Sequence, residues 1–393
     1  MAEQTKTSLW TKEFCMLLLV NLFSGMAGQM TIPLVTKYAL SLGATLELAS
    51  TIASLMSFAG LILCPFAGAV ADRVNRKWLF VIANIVYGIS IFFHGFIREP
   101  SGLIVIRLLT GISFAFTSVT LIAYTSTFVP RERYGEGMGY IALATILAQA
   151  AGPGLGTTLL EASGFKTTFM LAGIFSLASV IVVLIIPYKE LKRTTEKYRF
   201  SIKSLIAPEL LIFTAMAGLF SIGNGLVSTF LVLIGDERNI SGIAWFFTIY
   251  SACMVFVRPF TGKLLDKKGV YIILYPAFIL AGVGLAVVGV SYVLPLMLVG
   301  SVMKAFGQGA AVPSIQAHCV KELGRERAGV ATSTVQIGQH IGNTLAPFLG
   351  GKAVTAFGYS ATFAGYGAIL AVAGTALLIL QQRVMDRKRN SAK

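Results

Sequence analysis

Of the three basic residues within long apolar segments of this sequence, Arg258 lies near a segment end, whereas Arg107 and Lys304 stand where a charge is costly. Arg107 lies in the segment 102–127, and Lys304 lies in the segment 294–317 with Gln308 one helical turn further along. A charge in the middle of a membrane costs about 2.5–3.5 kcal/mol on insertion scales, so each residue is expected to face water or a polar partner. Such a residue can bind a charged solute or exchange a proton, although Arg107 can also serve a structural role by bonding to backbone carbonyls.

The eleventh apolar segment, 328–350, carries the clearest row of polar side chains. Its members recur at i, i+3, i+4, i+7 and i+11, which puts them on one helix face: Gln336, Gln339, His340, Asn343 and Pro347. Imidazole titrates near neutral pH, so His340 is either a proton-binding group or a hydrogen-bonded structural histidine. Asn21 in the first segment and Asn224 in the seventh are further cavity candidates, with hydrogen bonding between helices as the equal alternative.

Carboxylates are absent from the middle of every apolar segment. All 17 acidic residues fall in loops or near segment ends, so the buried charges of Arg107 and Lys304 are both positive. Membrane proteins that bind organic cations often pair them with a buried carboxylate. The pattern therefore favours an anionic, zwitterionic or neutral solute, and it leaves Lys304, His340 or the solute itself to carry any coupled proton.

The composition indicates an all-α membrane protein. The 393 residues are 55% hydrophobic and only 12% charged, against about 25% charged in a soluble domain. A bilayer core of roughly 30 Å needs about 20 helical residues. Twelve segments reach that length: 14–36, 48–71, 78–97, 102–127, 137–160, 167–187, 210–234, 242–262, 270–290, 294–317, 328–350 and 356–381.

Other classes of function do not fit this sequence. The basic residues behind the net charge of +15 sit in loops rather than on one domain face, which argues against nucleic acid as a partner. The four cysteines have no CxxC spacing, so neither a metal site nor a disulfide is predicted, and no cofactor is implied. The sequence holds no GxxxxGK(S/T), no HExxH and no credible GxSxG motif, so an enzyme is not predicted.

Lys and Arg residues indicate the orientation of the chain. Of the 32, 24 lie in the N-terminal arm, the even-numbered connections and the C-terminal tail, 5 lie in the odd-numbered connections, and 3 lie within segments. Basic residues concentrate on the cytoplasmic side, so both termini are predicted to be cytoplasmic, in a plasma membrane. The polar stretch 188–205 is then a cytoplasmic linker.

The two halves of the chain repeat at a constant offset of 194 residues. The charged triplet 131–133 matches 325–327, Pro153 matches Pro347, and Gly164 matches Gly358. Each half has six segments, so both halves share one orientation, as in parallel repeats related by an axis along the membrane normal. We therefore predict a six-helix bundle over 1–187 and another over 206–393, with a solute site between them and alternating access.

The loop after the second segment carries a recognisable motif. Residues 68–77 read GAVADRVNRK and resemble the G-x-x-x-D-R-x-G-R-K motif of the major facilitator superfamily, with Asn75 in place of a glycine. Asn75 is expected to adopt the left-handed turn of that glycine. Matching positions are Gly68, Asp72, Arg73, Arg76 and Lys77, and the second copy, GKLLDKKG, includes Gly262 and Asp266.

The resemblance implies that this loop is a conformational latch. Asp72 would cap the positive N-terminus of a neighbouring helix. Gly68 would let another helix approach closely, and the basic residues would form charge pairs that break and reform. The alternative is that the basic residues only keep this loop on the cytoplasmic side.

Two further motifs resemble the same family. RLLTG at 107–111 resembles its R-x-x-x-G signature, and GPGLG at 152–156 is similar to the G-P-x-x-G pattern of its efflux antiporters, with Gly152, Pro153 and Gly156 in the motif positions. Pro153 cannot donate to the carbonyl of Gln149, so a kink is expected there. The resemblance implies a monomeric transporter that exports a drug or metabolite in exchange for protons. Metabolite uptake and lipid flipping on the same fold are the alternatives.

The predicted orientation is testable at the linker. In a cysteine-free variant, Lys189→Cys is expected to react with a membrane-impermeant maleimide only after the cells are opened, because the linker is cytoplasmic. Lys166→Cys, in an odd-numbered connection, is the control that reacts in intact cells. Labelling of position 189 from outside would contradict both the orientation and the pairing of the halves.

Overall fold

The computed structural model describes residues 9–71, 73–130, 133–187, 207–324 and 328–391. These ranges contain ten α-helices, a 3-10 turn at Pro208–Leu210 and no β-strand, which confirms the predicted all-α class. The helices are α1 (Lys12–Ser41), α2 (Leu46–Ala71), α3 (Arg76–His94), α4 (Pro100–Ser126), α5 (Tyr134–Ile185), α6 (Leu211–Glu237), α7 (Ala244–Lys268), α8 (Tyr271–Val290), α9 (Leu294–Leu323) and α10 (Ala328–Ser391).

The ten helices contain twelve straight helical segments, because α5 and α10 each contain one sharp break. The backbone leaves helical geometry at Gly164 (φ 75°, ψ 173°) and at Gly358 (φ 76°, ψ 170°). Glycine adopts a positive φ without steric cost, which is why it stands at both positions. The predicted segments left 161–166 as a connection around Gly164, and they placed the other connection at 351–355, before Gly358. The structure corrects this, because a single glycine makes the turn and helix continues on both sides.

The surfaces of the helices suit a bilayer. In the part of the chain that the structure describes, nine helices are long and apolar enough to cross a membrane. Helix α9, which carries Lys304 and Gln308, is not one of these, but its 30 residues span about 45 Å at 1.5 Å per residue. Large apolar side chains such as Val105 and Val372 point outward, with 68% and 71% of their surface exposed. Lipid tails can cover such side chains.

The same helix crossing is built twice, by residues 194 positions apart. A Cβ on Gly173 in α5 would lie 2.8 Å from the carbonyl oxygen of Gly88 in α3. At the equivalent positions, a Cβ on Gly367 in α10 would overlap the carbonyl oxygen of Gly282 in α8. Only glycine permits backbones to approach this closely. The repeat read from the sequence therefore extends to the packing of individual helices.

The chain divides into two compact units, each with its own apolar core. One unit holds the described residues of 1–34 and 59–197, and its core contains Phe80 and Tyr124. The other holds those of 35–58 and 198–393, and in its core Phe220 stacks on Phe278 with ring centroids 4.5 Å apart. The predicted linker at 188–205 lies outside the described residues, and the predicted domain boundaries stay a prediction.

The segment 35–58, which ends α1 and begins α2, packs within the second unit. The Nζ atom of Lys37 lies 2.7 Å from a carboxylate oxygen of Asp236 at the end of α6. A Cβ on Gly351 in α10 would overlap the hydroxyl of Ser50 in α2. These contacts explain why 35–58 groups with 198–393 rather than with the neighbours it has in sequence.

Adding a methyl group at Gly367 tests the glycine crossing. Gly367→Ala is expected to destabilise the protein by about 1–3 kcal/mol, the usual cost of overpacking a close contact. Thermal unfolding of the purified protein in detergent measures this loss as a lower Tm. Gly365→Ala is the matched control, since nothing lies within 4 Å of a Cβ there. Equal Tm values for the two variants would show that the crossing does not need glycine.

Candidate functional site

Lys304 is buried in the second unit among neutral polar groups from three helices. Its side chain in α9 is 1% exposed. The Nζ atom donates to Gln308 Oε1 at 2.8 Å, to the Tyr250 hydroxyl at 3.2 Å and to Asn224 Oδ1 at 3.5 Å. It also lies 4.4 Å from the centroid of the Tyr250 ring, a cation–π distance. The structure thus brings three predicted candidates together and adds Tyr250 from α7, which the sequence analysis did not select.

Small residues of α8 and α9 allow the backbone of Lys304 to pack closely against α8. A Cβ on Gly284 in α8 would lie 2.5 Å from the backbone nitrogen of Lys304, and one on Gly300 would lie 2.8 Å from the carbonyl oxygen of Gly284. The Ser301 hydroxyl donates to the carbonyl oxygen of Phe246 in α7 at 3.0 Å. Close packing against α8 and a hydrogen bond to α7 therefore fix the position of the α9 backbone at Lys304.

The charge of Lys304 has no carboxylate beside it. No described Asp or Glu side chain lies within ion-pair distance of its Nζ atom, and no described Asp or Glu side chain is buried. Neutral oxygens satisfy the three donors of an ammonium, but they do not neutralise its charge. Burying a charge without a counter-charge is unfavourable. The cluster can therefore gain stability from an anion.

Arg107 occupies a separate buried position in the first unit. The side chain lies in α4 with 3% of its surface exposed. Its charge acts on the Tyr87 hydroxyl and on His94, both in α3. A Cβ on Gly28 in α1 would lie 2.6 Å from that hydroxyl, so α1 closes over the group. Sequence reasoning placed Arg107 in a polar setting but did not select Tyr87 or His94.

Asparagines join helices within the first unit. Asn21 Nδ2 donates to the carbonyl oxygen of Leu17 at 2.8 Å and to the Thr125 hydroxyl at 3.2 Å, so this candidate links α1 to α4. Asn84, fully buried in α3, was not predicted. It accepts from Ser24 of α1 and donates to Ser179 and a carbonyl of α5, at 2.7–3.2 Å. The alternative of hydrogen bonding between helices therefore describes Asn21 directly.

The polar row of the eleventh segment grades from exposed to buried along α10. Gln336 is exposed, Gln339, His340 and Asn343 are half-buried, and Pro347 is buried. The imidazole of His340 makes no hydrogen bond or ion pair with any described residue. The row also makes no hydrogen bond to the Lys304 cluster in the described ranges. His340 is thus accessible, and no partner there identifies it as a structural histidine.

Comparison with known proteins identifies the family. A sequence profile of the Major Facilitator Superfamily matches residues 17–291 and 213–393, which together cover most of the chain. The chain belongs to the major facilitator superfamily. The predicted family and fold are confirmed. Members of this superfamily are transporters of small molecules, so the chain is a multi-pass membrane transporter.

Individual relatives of this superfamily member are distant but extend over most of the chain. An uncharacterised MFS-type transporter of Methanocaldococcus jannaschii is 26% identical over 333 residues, which are 81% of this chain and 86% of the relative. The multidrug resistance protein MdtG of Escherichia coli is 25% identical over 373 residues, 90% of each chain. A crystal structure of the nucleoside transporter NupG has a TM-score of 0.75 at 13% identity, covering 93% of this chain and 99% of its own, and it shows the fold alone.

The superfamily's loop motif makes local contacts in its first copy. Arg76 donates to the carbonyl oxygens of Ala71 and Ala123, and Lys77 Nζ donates to those of Leu184 and Ile186 at 3.0 and 2.5 Å. These carbonyls lie at or near the ends of α2, α4 and α5, where backbone acceptors have no helical partner. Both side chains therefore bind helix ends within their own unit.

Other positions of the motif differ from expectation or lie outside the structure. Asn75 has φ −65°, and its side chain accepts from the backbone N–H of Trp78. It caps α3, so the expected left-handed turn is wrong. The left-handed residue is Gly269, the equivalent position in the second copy, at φ 81°. Asp72 lies outside the described residues, Arg73 is exposed, and Asp266 lies in α7.

Gly68 lacks the expected close neighbour, and so does its counterpart Gly262 in the second copy of the motif. The nearest side chain to a Cβ on Gly68 would be Val119 at an ordinary 3.9 Å, and nothing would lie within 4 Å of one on Gly262. No helix therefore approaches closely at either position in the described structure.

The GPGLG motif packs α5 tightly against α1. A Cβ on Gly152 would lie 2.5 Å from the Cβ of Gln29, and one on Gly156 would overlap the carbonyl oxygen of Met30. Helical dihedral angles continue through Pro153, and the sharp break of α5 lies at Gly164. This motif therefore sets how closely two helices of the first unit approach.

Proposed function

We propose that this transporter exports a small organic anion or zwitterion in exchange for protons, by alternating access. The observation that carries the proposal is a pair of buried cations, Arg107 and Lys304, in a chain whose described carboxylates are all at least partly accessible. A buried carboxylate would attract cationic solutes. Lys304 has no described carboxylate beside it, and a buried cation of this kind favours a solute that brings a negative charge.

Two observations support export. The GPGLG sequence is similar to a motif of efflux antiporters, and in the structure it makes a close crossing between α5 and α1. MdtG, similar to this chain over 90% of each protein, is a multidrug resistance protein. Export is consistent with both, whereas neither observation favours uptake or lipid flipping.

Proton coupling rests on two side chains of the second unit. Lys304 and His340 are ionisable, and both lie in the interior turns of helices, α9 and α10. Lys304 carries a charge that no described carboxylate compensates. His340 is half-buried, and its imidazole has no described partner. Either side chain can carry a proton inward across the membrane in exchange for an anion that moves outward. We propose that the transporter is a monomer in the plasma membrane, with both termini cytoplasmic.

Everted membrane vesicles test the direction and the coupling. Acidifying the interior is expected to drive accumulation of an exported anion, and a protonophore is expected to abolish it. Vesicles from cells without the protein are the control. Accumulation only in right-side-out vesicles would indicate uptake, and movement of labelled lipid alone would indicate a flippase. Transport that ignores pH and moves no protons would refute the coupling.

Removing the buried charge of the first unit provides a second test. Arg107→Ala is expected to reduce transport to background while the protein remains in the membrane, because the solute loses a cation that water cannot replace. Arg98→Ala, which alters an exposed arginine two residues before α4, is the control and is expected to transport normally. Membrane abundance and transport rate are measured on the same vesicles. Normal transport by Arg107→Ala would exclude Arg107 from solute binding.

A further inference from the structure

We infer that Lys304, Tyr250, Asn224 and Gln308 form a subsite for one singly charged oxyanion, such as a carboxylate. The inference rests on the proposed export of anions and assigns the negative group of the solute to one set of atoms. Three helices contribute, with Asn224 in α6, Tyr250 in α7, and Lys304 and Gln308 in α9. A single ammonium matches a single negative charge.

One of the three hydrogen bonds that the Lys304 ammonium donates is longer than the other two. Gln308 at 2.8 Å is a short partner and Tyr250 at 3.2 Å an ordinary one, but Asn224 at 3.5 Å is at the limit of a hydrogen bond. An anion oxygen in place of the Asn224 oxygen would gain a charge-assisted hydrogen bond, which is stronger than a neutral one. The solute therefore has least to displace on the Asn224 side.

The neutral partners give access to the buried charge. Lys304 is 1% exposed, whereas Asn224, Tyr250 and Gln308 are half-buried and keep part of their surface accessible. A solute reaches the ammonium by moving the Asn224 and Gln308 side chains rather than by separating helices. Until it arrives, they keep the charge hydrogen-bonded and away from water.

The same side chains can turn from acceptors into donors. Asn and Gln carry an oxygen and an NH2 group at opposite corners of one amide, so rotation about the last bond exchanges them. After rotation, Asn224 and Gln308 present N–H groups beside the ammonium and the Tyr250 hydroxyl. Every group that then faces the solute is a donor, which selects an oxyanion over a cation or an amide.

Contacts between α7 and α9 fix the positions of Tyr250 and Lys304. The Tyr250 ring stacks on Phe246 at 6.2 Å with an interplanar angle of 10°, and Phe246 is fully buried. Ser301, one turn before Lys304, donates to the Phe246 carbonyl. The lysine and the tyrosine are therefore positioned by the same contact between α7 and α9, which leaves the two amides as the moving parts.

Binding of matched probes to the purified full-length protein tests the subsite. Benzoate and benzamide have the same shape and differ in charge, and a panel of other carboxylates is paired with the corresponding amides. Carboxylates are expected to raise the Tm and to bind at least about tenfold more tightly than their amides, measured by calorimetry. The inference is wrong if no carboxylate in the panel exceeds its amide.

Substitutions then assign the effect to these atoms. Lys304→Met keeps an unbranched side chain and is expected to fold, because it removes the cost of a buried charge that no described carboxylate compensates. It should lose the preference for carboxylates, whereas Lys304→Arg should keep part of it. Lys352→Met, which makes the same substitution at an exposed lysine of α10, is the control and should bind as the wild type does. Unchanged carboxylate binding by Lys304→Met would overturn the inference.

Transport by the same variants separates this inference from the proposed function. If Lys304→Met still exports an anion at the wild-type rate, the subsite is wrong but anion export stands. If carboxylate binding depends on Lys304 but vesicles export only neutral compounds, the subsite stands and the proposed function is wrong.

Discussion

A bilayer offers no hydrogen-bond partners, so each polar group inside it must find one within the protein. This constraint explains the architecture of the chain. The described backbone forms helices that satisfy their own amides, and two of them turn at a single glycine, Gly164 or Gly358, rather than through an irregular loop. It also explains Asn84, which joins three helices. Polar side chains here supply what water supplies in a soluble protein.

The close crossings of the helices follow from the same absence of water. Lipid tails are as apolar as leucine, so burial of apolar surface drives helices together only weakly, and packing must contribute more. Gly88 with Gly173, and Gly282 with Gly367, allow backbones to meet in each half. Because these contacts recur at a constant offset, the two halves share a scaffold. The crossings also fix the positions of the polar groups they enclose, such as Lys304 beside Gly284.

The buried charges do not follow the repeat. The position equivalent to Lys304 is Thr110, whose hydroxyl bonds to Ser90, and the position equivalent to Arg107 is Ser301, whose hydroxyl bonds to Phe246. At this pair of equivalent positions, each half therefore has one cation and one hydroxyl, in exchanged places. The scaffold has kept its symmetry while the polar groups have diverged. The halves therefore share their packing requirements but not the polar groups at these positions.

The sequence alone determined the all-α membrane class, the twelve helical segments, the repeat and the identity of the buried cations Arg107 and Lys304. These features depend on composition and on spacing along the chain. Lys304 and Gln308 are one turn apart on a helix, so their contact could be predicted. Tyr250 and Asn224 reach Lys304 from other helices, and Tyr87 and His94 of α3 lie within electrostatic range of Arg107 in α4. Only the tertiary structure decided these partners, because the rotation and depth of each helix depend on crossings that no local pattern encodes. For the same reason Asn75 became a helix cap, where the motif had suggested a left-handed turn.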